Sequence, residues 1–311
     1  MTITYYETRR AATACVADRN HSLASSLGLL LLLSLAAVSG CSTRIGLPTV
    51  TPDAGHLEYP GKFVWFDLYA SDIDAVARFY DRVFGWSVER TDQGTPTVKT
   101  ILNKGRRIGS IFLVGGGRQW DGREAGWVPC LSVSNADAAY ARALRAGAQP
   151  VAPPMERPFR GRMAEIRDPQ GARATLLASP VGDPRDRRPE EGVFLGAELW
   201  APDVASAELF YSGLAGYETR RASLRGAPRV MLLAGNKPRG GISVSPVAME
   251  VAVWIPMVAV RDVSAVLKRV EAYGGTVLHG FVPGGKTGPE AVFRDPAGSL
   301  MGVRGVIGTE G

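Results

Sequence analysis

From Phe63 the apolar positions recur at every second residue. Val64, Phe66 and Leu68 alternate with Trp65, Asp67 and Tyr69, the pattern of a half-buried strand. The spacing then changes. Val76, Phe79, Tyr80 and Val83 fall at i, i+3, i+4 and i+7, one face of a helix that Ser71 or Asp72 can cap and Gly85 can end. Short alternating runs follow the helix. The same sequence of patterns recurs three more times, with Ala207, Phe210, Tyr211 and Leu214 as a second helical face. The later helices start at Asn135 or Asp262 and end at Ala146-Gly147 or Gly274-Gly275.

The recurrence is a repeat within a repeat. At an offset of 131, Phe63–Asp72 aligns with Phe194–Asp203, Phe79-Tyr80 with Phe210-Tyr211, and Gly85-Trp86 with Gly216-Tyr217. At an offset of 127, Trp127 falls on Trp254, and Asp168-Pro169 with Gly171 falls on Asp295-Pro296 with Gly298. Two similar domains are expected, 61–179 and 193–305, each of two strand–helix–strands modules. Residues 306–311 remain as a tail. The stretch 180–192 is rich in Pro and charge and reads as a solvated linker. Under the strands, Val64, Phe66 and Leu68 are expected to face the helices, leaving Trp65, Asp67 and Tyr69 on the opposite face.

One run breaks the pattern. Leu27–Val38 is twelve residues without charge, a helix of roughly 18 Å, too short for a hydrocarbon core of roughly 30 Å. Arg9, Arg10 and Arg19 precede it, and small residues and Cys41 follow, as in a secretory signal. Val38-Ser39-Gly40-Cys41 resembles the lipobox of bacterial lipoproteins. That resemblance implies a signal peptide over 1–40 and lipidation of Cys41. Ser42 after it implies the outer membrane, facing the periplasm. Residues 41–60, rich in Pro, Gly and Thr, read as a flexible tether.

The chain has 311 residues, 45% hydrophobic and 21% charged, so wholesale disorder is excluded. Its net charge of +6 is scattered, without the basic stripe that nucleic acid needs. Three Cys and three His are too few for a disulfide framework, and no pair has zinc-site spacing. After cleavage Cys130 would be the only thiol, without a partner.

Four modules of βαβββ order resemble the vicinal oxygen chelate superfamily, which includes glyoxalase I, bleomycin-resistance proteins and extradiol dioxygenases. The residues that carry the resemblance are Trp65-Phe66-Asp67-Leu68, Asp72, Phe79-Tyr80, Phe84-Gly85-Trp86, Gly161-Arg162-Met163-Ala164 and Asp168-Pro169-Gln170-Gly171, with their counterparts in the second half. The resemblance implies an α+β fold of two tandem domains. In each, two modules form a curved, cup-like mixed sheet with helices outside. A monomer with an internal pseudo-dimer is implied as well. Metal-binding members carry His or Glu at positions that map to Trp65, Val128 and Thr175, and to Gly196, Ile255 and Gly302. Of these only Thr175 has an oxygen to offer, and it is a poor ligand. No metal cofactor is expected from that set, although a divalent metal held by other ligands stays possible.

On the inferred cup faces lie Trp65, Asp67, Tyr69, Cys130, Ser132, Arg173 and Thr175, then Glu198, Trp200, Met257 and Arg304. Aromatic, carboxylate and guanidinium groups in a concave site suit a small amphipathic ligand. Asp67 and Glu198 have three open roles: framework partners of Arg173 and Arg304, ligand contacts, or acid–base groups. Cys130 reads as a buried, unreactive thiol, for want of a nearby base. Gly284–Gly288 resembles a phosphate loop in composition only and reads as a loop over the cup mouth. Three functions remain: a metal-free small-molecule binder on a lipid anchor, a glyoxalase- or dioxygenase-type metalloenzyme with unusual ligands, or a non-catalytic envelope interaction protein.

Overall fold

The computed structural model describes residues 46–52, 55–91, 97–115, 124–224, 227–282 and 289–306. In the first half the elements run β1 (Phe63–Ala70), α1 (Ile73–Phe84), β2 (Ser87–Arg90), β3 (Val98–Asn103), β4 (Arg106–Leu113), β5 (Gly126–Ser132), α2 (Ala136–Arg145), β6 (Gln149–Arg157), β7 (Gly161–Arg167) and β8 (Arg173–Ala178). The second half repeats them: β9 (Phe194–Trp200), α3 (Val204–Ala215), β10 (Glu218–Leu224), β11 (Ala227–Ala234), β12 (Lys237–Ser243), β13 (Val253–Val260), α4 (Val263–Ala272), β14 (Thr276–Val282), β15 (Glu290–Arg294) and β16 (Leu300–Gly305). Each half is one eight-stranded mixed sheet, ordered β2-β3-β4-β1-β5-β8-β7-β6 and β10-β11-β12-β9-β13-β16-β15-β14. The two modules of a sheet meet at an antiparallel pair, β1 with β5 and β9 with β13. Within each module the first and last strands pair in parallel.

The helices begin where short side chains cap them. Asp72, Asn135, Asp203 and Asp262 each accept a hydrogen bond from an N–H in the first turn, satisfying donors the helix leaves free. Gly85 closes α1 at φ 72°, a left-handed conformation that glycine adopts without Cβ strain. The apolar faces read from the sequence are buried as expected, Val76, Phe79, Tyr80 and Val83 on α1 and Ala207, Phe210, Tyr211 and Leu214 on α3.

These faces do not make two separate cores. One continuous cluster joins both halves: Phe66 packs against a tilted Phe194 ring at 4.2 Å between centroids, and Phe63 meets Trp254 edge-on at 4.9 Å. Two matching polar latches cross the same interface. The Tyr80 hydroxyl donates to Asp295 Oδ2 at 2.9 Å and accepts from Trp127 Nε1 at 2.9 Å. The Tyr211 hydroxyl donates to Asp168 Oδ2 at 2.9 Å and accepts from Trp254 Nε1 at 2.7 Å. Each of these aspartates also holds its own turn, accepting backbone N–H groups two and four residues on. The Asp-Pro-x-Gly motif of one half thus anchors the helix of the other. Burial pushes both carboxyls above the ordinary aspartate range, against the pull of these donors.

Three expectations are corrected. Val64 does not face the helices. A bulge between Phe63 and Trp65 turns it to the other side, where it packs with Trp65 and Cys130. The linker 180–192 is solvated only in part, with Arg185 and Arg187–Glu190 exposed. Asp183 is buried and accepts from the Ser132 hydroxyl and the Tyr59 N–H, and Asp186 binds Lys62, Lys237 and Arg239. Nor is residue stretch 41–60 tether-like where it is described. Leu47 is 1% exposed and Val50 is 4% exposed. Cys41, the apolar run Leu27–Val38, and the glycine-rich loop Gly284–Gly288 lie outside the described residues.

Candidate functional site: two cups, one filled and one open

Alternation along β1 sends Trp65, Asp67 and Tyr69 into the first cup. Asp67 is 1% exposed, and its partner is Arg160, itself fully buried, with Nη1 at 3.5 Å from Asp67 Oδ2. Arg160 lies 4.7 Å from the Trp65 ring centroid and donates to Ser110 Oγ at 3.2 Å, which also receives Trp65 Nε1 at 3.0 Å. The Cys130 thiol donates to Asp67 Oδ2 at 3.5 Å. Burial pushes the Cys130 thiol well up, with the Asp67 charge adding to it, so the thiolate is disfavoured. Burial also raises the Asp67 carboxyl, and Arg160 opposes that shift.

Arg173, expected beside Asp67, pairs instead with Glu165 at 2.7 Å and lies 4.9 Å from the Tyr69 ring centroid. The chain fills the rest of this cup. Leu47 packs with Tyr69, Phe112 and Val128, and Val50 packs with Trp65, Cys130 and Leu177. The gap left beside Leu47 is about 20 Å³, room for one water. In this arrangement Asp67 is framework.

The second cup is open. A cavity of about 160 Å³ is lined by Glu198, Met257 and Arg304 of the expected set, and by Arg229, Met231, Arg239 and neighbouring backbone. Trp200 is on the same face but belongs to an apolar cluster with Ile255 and Val292, not to the cavity wall. The charged groups form a chain. Glu198 Oε2 binds Arg229 at 2.7 Å, Arg229 reaches Glu290 Oε1 at 3.5 Å, and Arg304 binds the same oxygen at 2.6 Å. Arg304 thus holds Glu290, not Glu198 as expected. Burial raises the Glu198 carboxyl; Arg229 works against that and Glu290 reinforces it. Glu198 Oε1, Arg229 Nε and Arg239 Nε have no hydrogen-bond partner among the described residues. Each such buried atom costs about 1–3 kcal/mol until something meets it.

The residues do not fit a divalent cation. Gly196 sits at φ 131°, and a Cβ there would collide with the Arg239 carbonyl. A Cβ on Gly302 would run into the Met257 sulfur. Neither position can carry a ligating side chain without rearrangement. Ile255 is packed in the Trp200 cluster, Val128 is under Leu47, and the Trp65 N–H is committed to Ser110. The two carboxylates of the open cup are already bonded by arginines, whose charge opposes a metal ion. Among the described residues no three His, Cys, Asp or Glu side chains gather as a metal cluster.

Sequence reasoning missed Arg160, Arg229, Arg239 and Glu290. The alternation in β11 carried a usable signal, since Arg229 and Met231 alternate with buried Val230 and Leu232. Arg160 stands in a turn, where period gives no direction.

The family model described as Glyoxalase/Bleomycin resistance protein/Dioxygenase superfamily matches residues 62–176. The anthracycline biosynthesis protein DnrV of Streptomyces peucetius is 27% identical over 230 residues, 70% of this chain and 84% of that protein. The putative glyoxylase CFP32 of Mycobacterium bovis is 26% identical over 246 residues, 77% of this chain and 92% of that protein. Among solved structures, the Mn(II)-bound glyoxalase from Novosphingobium aromaticivorans superposes with a TM-score of 0.56 at 17% identity, covering 80% of this chain and 83% of that one. At that identity the likeness is one of fold. The chain thus carries a domain of the glyoxalase/bleomycin resistance/dioxygenase superfamily, followed by a second domain of the same fold.

Proposed function

We propose that this chain binds a small, partly apolar molecule in its second cup, without a catalytic metal. It works as a monomer held by a lipid on Cys41 at the outer membrane, facing the periplasm. The observation that carries the reading is the contrast between the cups. One is filled by the chain itself and leaves Asp67 Oδ1 unmatched, and the other keeps a cavity with three unmatched polar atoms. A cavity of about 150 Å³ takes a benzene ring, so about 160 Å³ holds one ring of a ligand, with the open mouth left for the rest. Met231, Met257 and Pro238 offer apolar contact; Glu198 Oε1 accepts a donor, and Arg229 Nε seeks an acceptor. The ligand class is therefore a ring bearing adjacent donor and acceptor, such as an amide or a hydroxy-carbonyl. Relatives named for anthracycline biosynthesis support an aromatic ligand, entering by one ring.

The test uses benzamide, whose carbonyl suits Arg229 and whose N–H suits Glu198. At roughly 0.4 kcal/mol per heavy atom its Kd is on the order of 1 mM. Saturable binding at one site by NMR titration, abolished by the cavity-filling Met231→Trp, is expected. Binding that ignores Met231→Trp overturns the site. The anchor is tested separately: labelled palmitate should enter the wild-type chain in cells and not Cys41→Ala. Equal labelling refutes lipidation at Cys41.

A further inference from the structure

The first cup is built from strands equivalent to those of the second but has a different content. Residues 46–51 belong to neither sheet, yet Leu47, Val50 and Thr51 are buried as deeply as core residues. The segment is held as a ligand is held. The Leu47 N–H donates to the Pro158 carbonyl at 3.1 Å. The Pro48 carbonyl accepts from Arg160 Nε at 2.6 Å. Arg160 is a buried arginine whose other nitrogens face Asp67 and Ser110, so it is fixed before the carbonyl arrives. Leu47 and Val50 fill two apolar hollows on either side of this anchor, one against Tyr69 and Phe112, the other against Trp65 and Cys130.

This is a recognition site: one preset donor for a carbonyl, flanked by two hydrophobic pockets. We propose that the first cup is a second binding site, for an extended apolar peptide, and that residues 47–50 are its displaceable cis ligand. Local segments that carry no sheet pairing open at lower free energy than the strands they cover. A tethered ligand holds its site through effective concentrations in the millimolar range, so a competitor in trans needs similar concentrations. The inference is independent of what the second cup binds.

Cys130 reports the opening, because its thiol is fully buried beneath Val50. The experiment alkylates the full-length chain in detergent with iodoacetamide and follows Cys130 by peptide mass spectrometry, which keeps other thiols out of the readout. Leu47→Ser/Val50→Ser should raise the Cys130 rate about tenfold or more while the chain still unfolds cooperatively. Millimolar acetyl-Gly-Leu-Pro-Thr-Val-Thr-amide should slow it again. Labelling that the peptide leaves unchanged overturns the proposal. Should the variant not fold, hydrogen exchange on the wild type decides. The Leu47 amide is expected to exchange about a hundredfold faster than that of Leu131 in β5. Equal exchange makes the segment an integral part of the core and overturns the proposal.

Discussion

The Tyr80→Phe substitution removes one oxygen and tests how the halves are joined. That hydroxyl donates to Asp295 Oδ2 and accepts from Trp127 Nε1, both at 2.9 Å, in a fully buried setting. A hydrogen bond to a charged group contributes about 1.5–3 kcal/mol, and the stranded indole N–H costs about 1–3 kcal/mol. The two losses overlap, because both follow from one missing atom, so we expect about 3 kcal/mol. The ring stays, and with it the stack on Phe84 and the tilted contact with Trp86. Urea unfolding should report this loss at unchanged slope, with Tm lower by roughly 6–12 °C. The pH dependence has a definite sign. Tyr80 favours the ionised Asp295, whose carboxyl burial already raises, so the variant raises it further. The ionic part of the loss is then full above the variant's folded-state pKa and disappears as pH falls below the wild-type one. The deficit should be smaller at acid pH than at neutral pH. A deficit under about 0.5 kcal/mol, or one equal at both pH values, would refute the latch. Tyr211→Phe should behave alike, since its partners Asp168 and Trp254 repeat the geometry.

Two further outcomes follow from other contacts. In the wild type, burial raises the Asp186 carboxyl, but Arg239, Lys237 and Lys62 outweigh it and hold it well below the usual range, so its contribution is present above the ordinary carboxylate pKa and lost as pH falls. Asp186→Asn should therefore cost about 1–2 kcal/mol near neutrality, less in high salt and less in acid, read by denaturant titration. Gly302→Glu places a carboxylate at a position that the family resemblance maps to a metal ligand, yet it meets the Met257 sulfur. It should lose about 1–3 kcal/mol and retain no Mn²⁺ after dialysis; stoichiometric retention would show that the position is serviceable.

Much of the fold was legible because period and caps are local. The α1 face Val76, Phe79, Tyr80 and Val83, the capping Asp72 and the closing Gly85 are each read within a dozen residues. The tandem offset gave the second sheet from the first. The cups were legible only in part. Alternation says which face Asp67 and Glu198 occupy, but not which arginine reaches them. Arg160 and Arg229 come from β-turn and strand positions 93 and 31 residues from the acids they meet. Composition misled at residues 46–51, where Pro and Thr suggested a solvated tether. Leu47 and Val50 bury in a cup whose hollows exist only after the sheet has closed. It also misled over part of 180–192, where Asp183 and Asp186 meet partners from three other segments. Val64 was misplaced because a bulge adds one residue without leaving a mark in the period.

The central claim is that the open cup works without a metal ion, because glycine positions and arginine-bound carboxylates leave no ligand set. Elemental analysis tests it most directly, on the chain purified without chelator or affinity metal and then dialysed against Mn²⁺, Fe²⁺, Ni²⁺ and Zn²⁺ in turn. The account predicts metal well below one equivalent in every case, with benzamide binding unchanged. One retained equivalent of any of these ions, lost in Glu198→Gln or Glu290→Gln, would contradict it and make the second cup a metal centre.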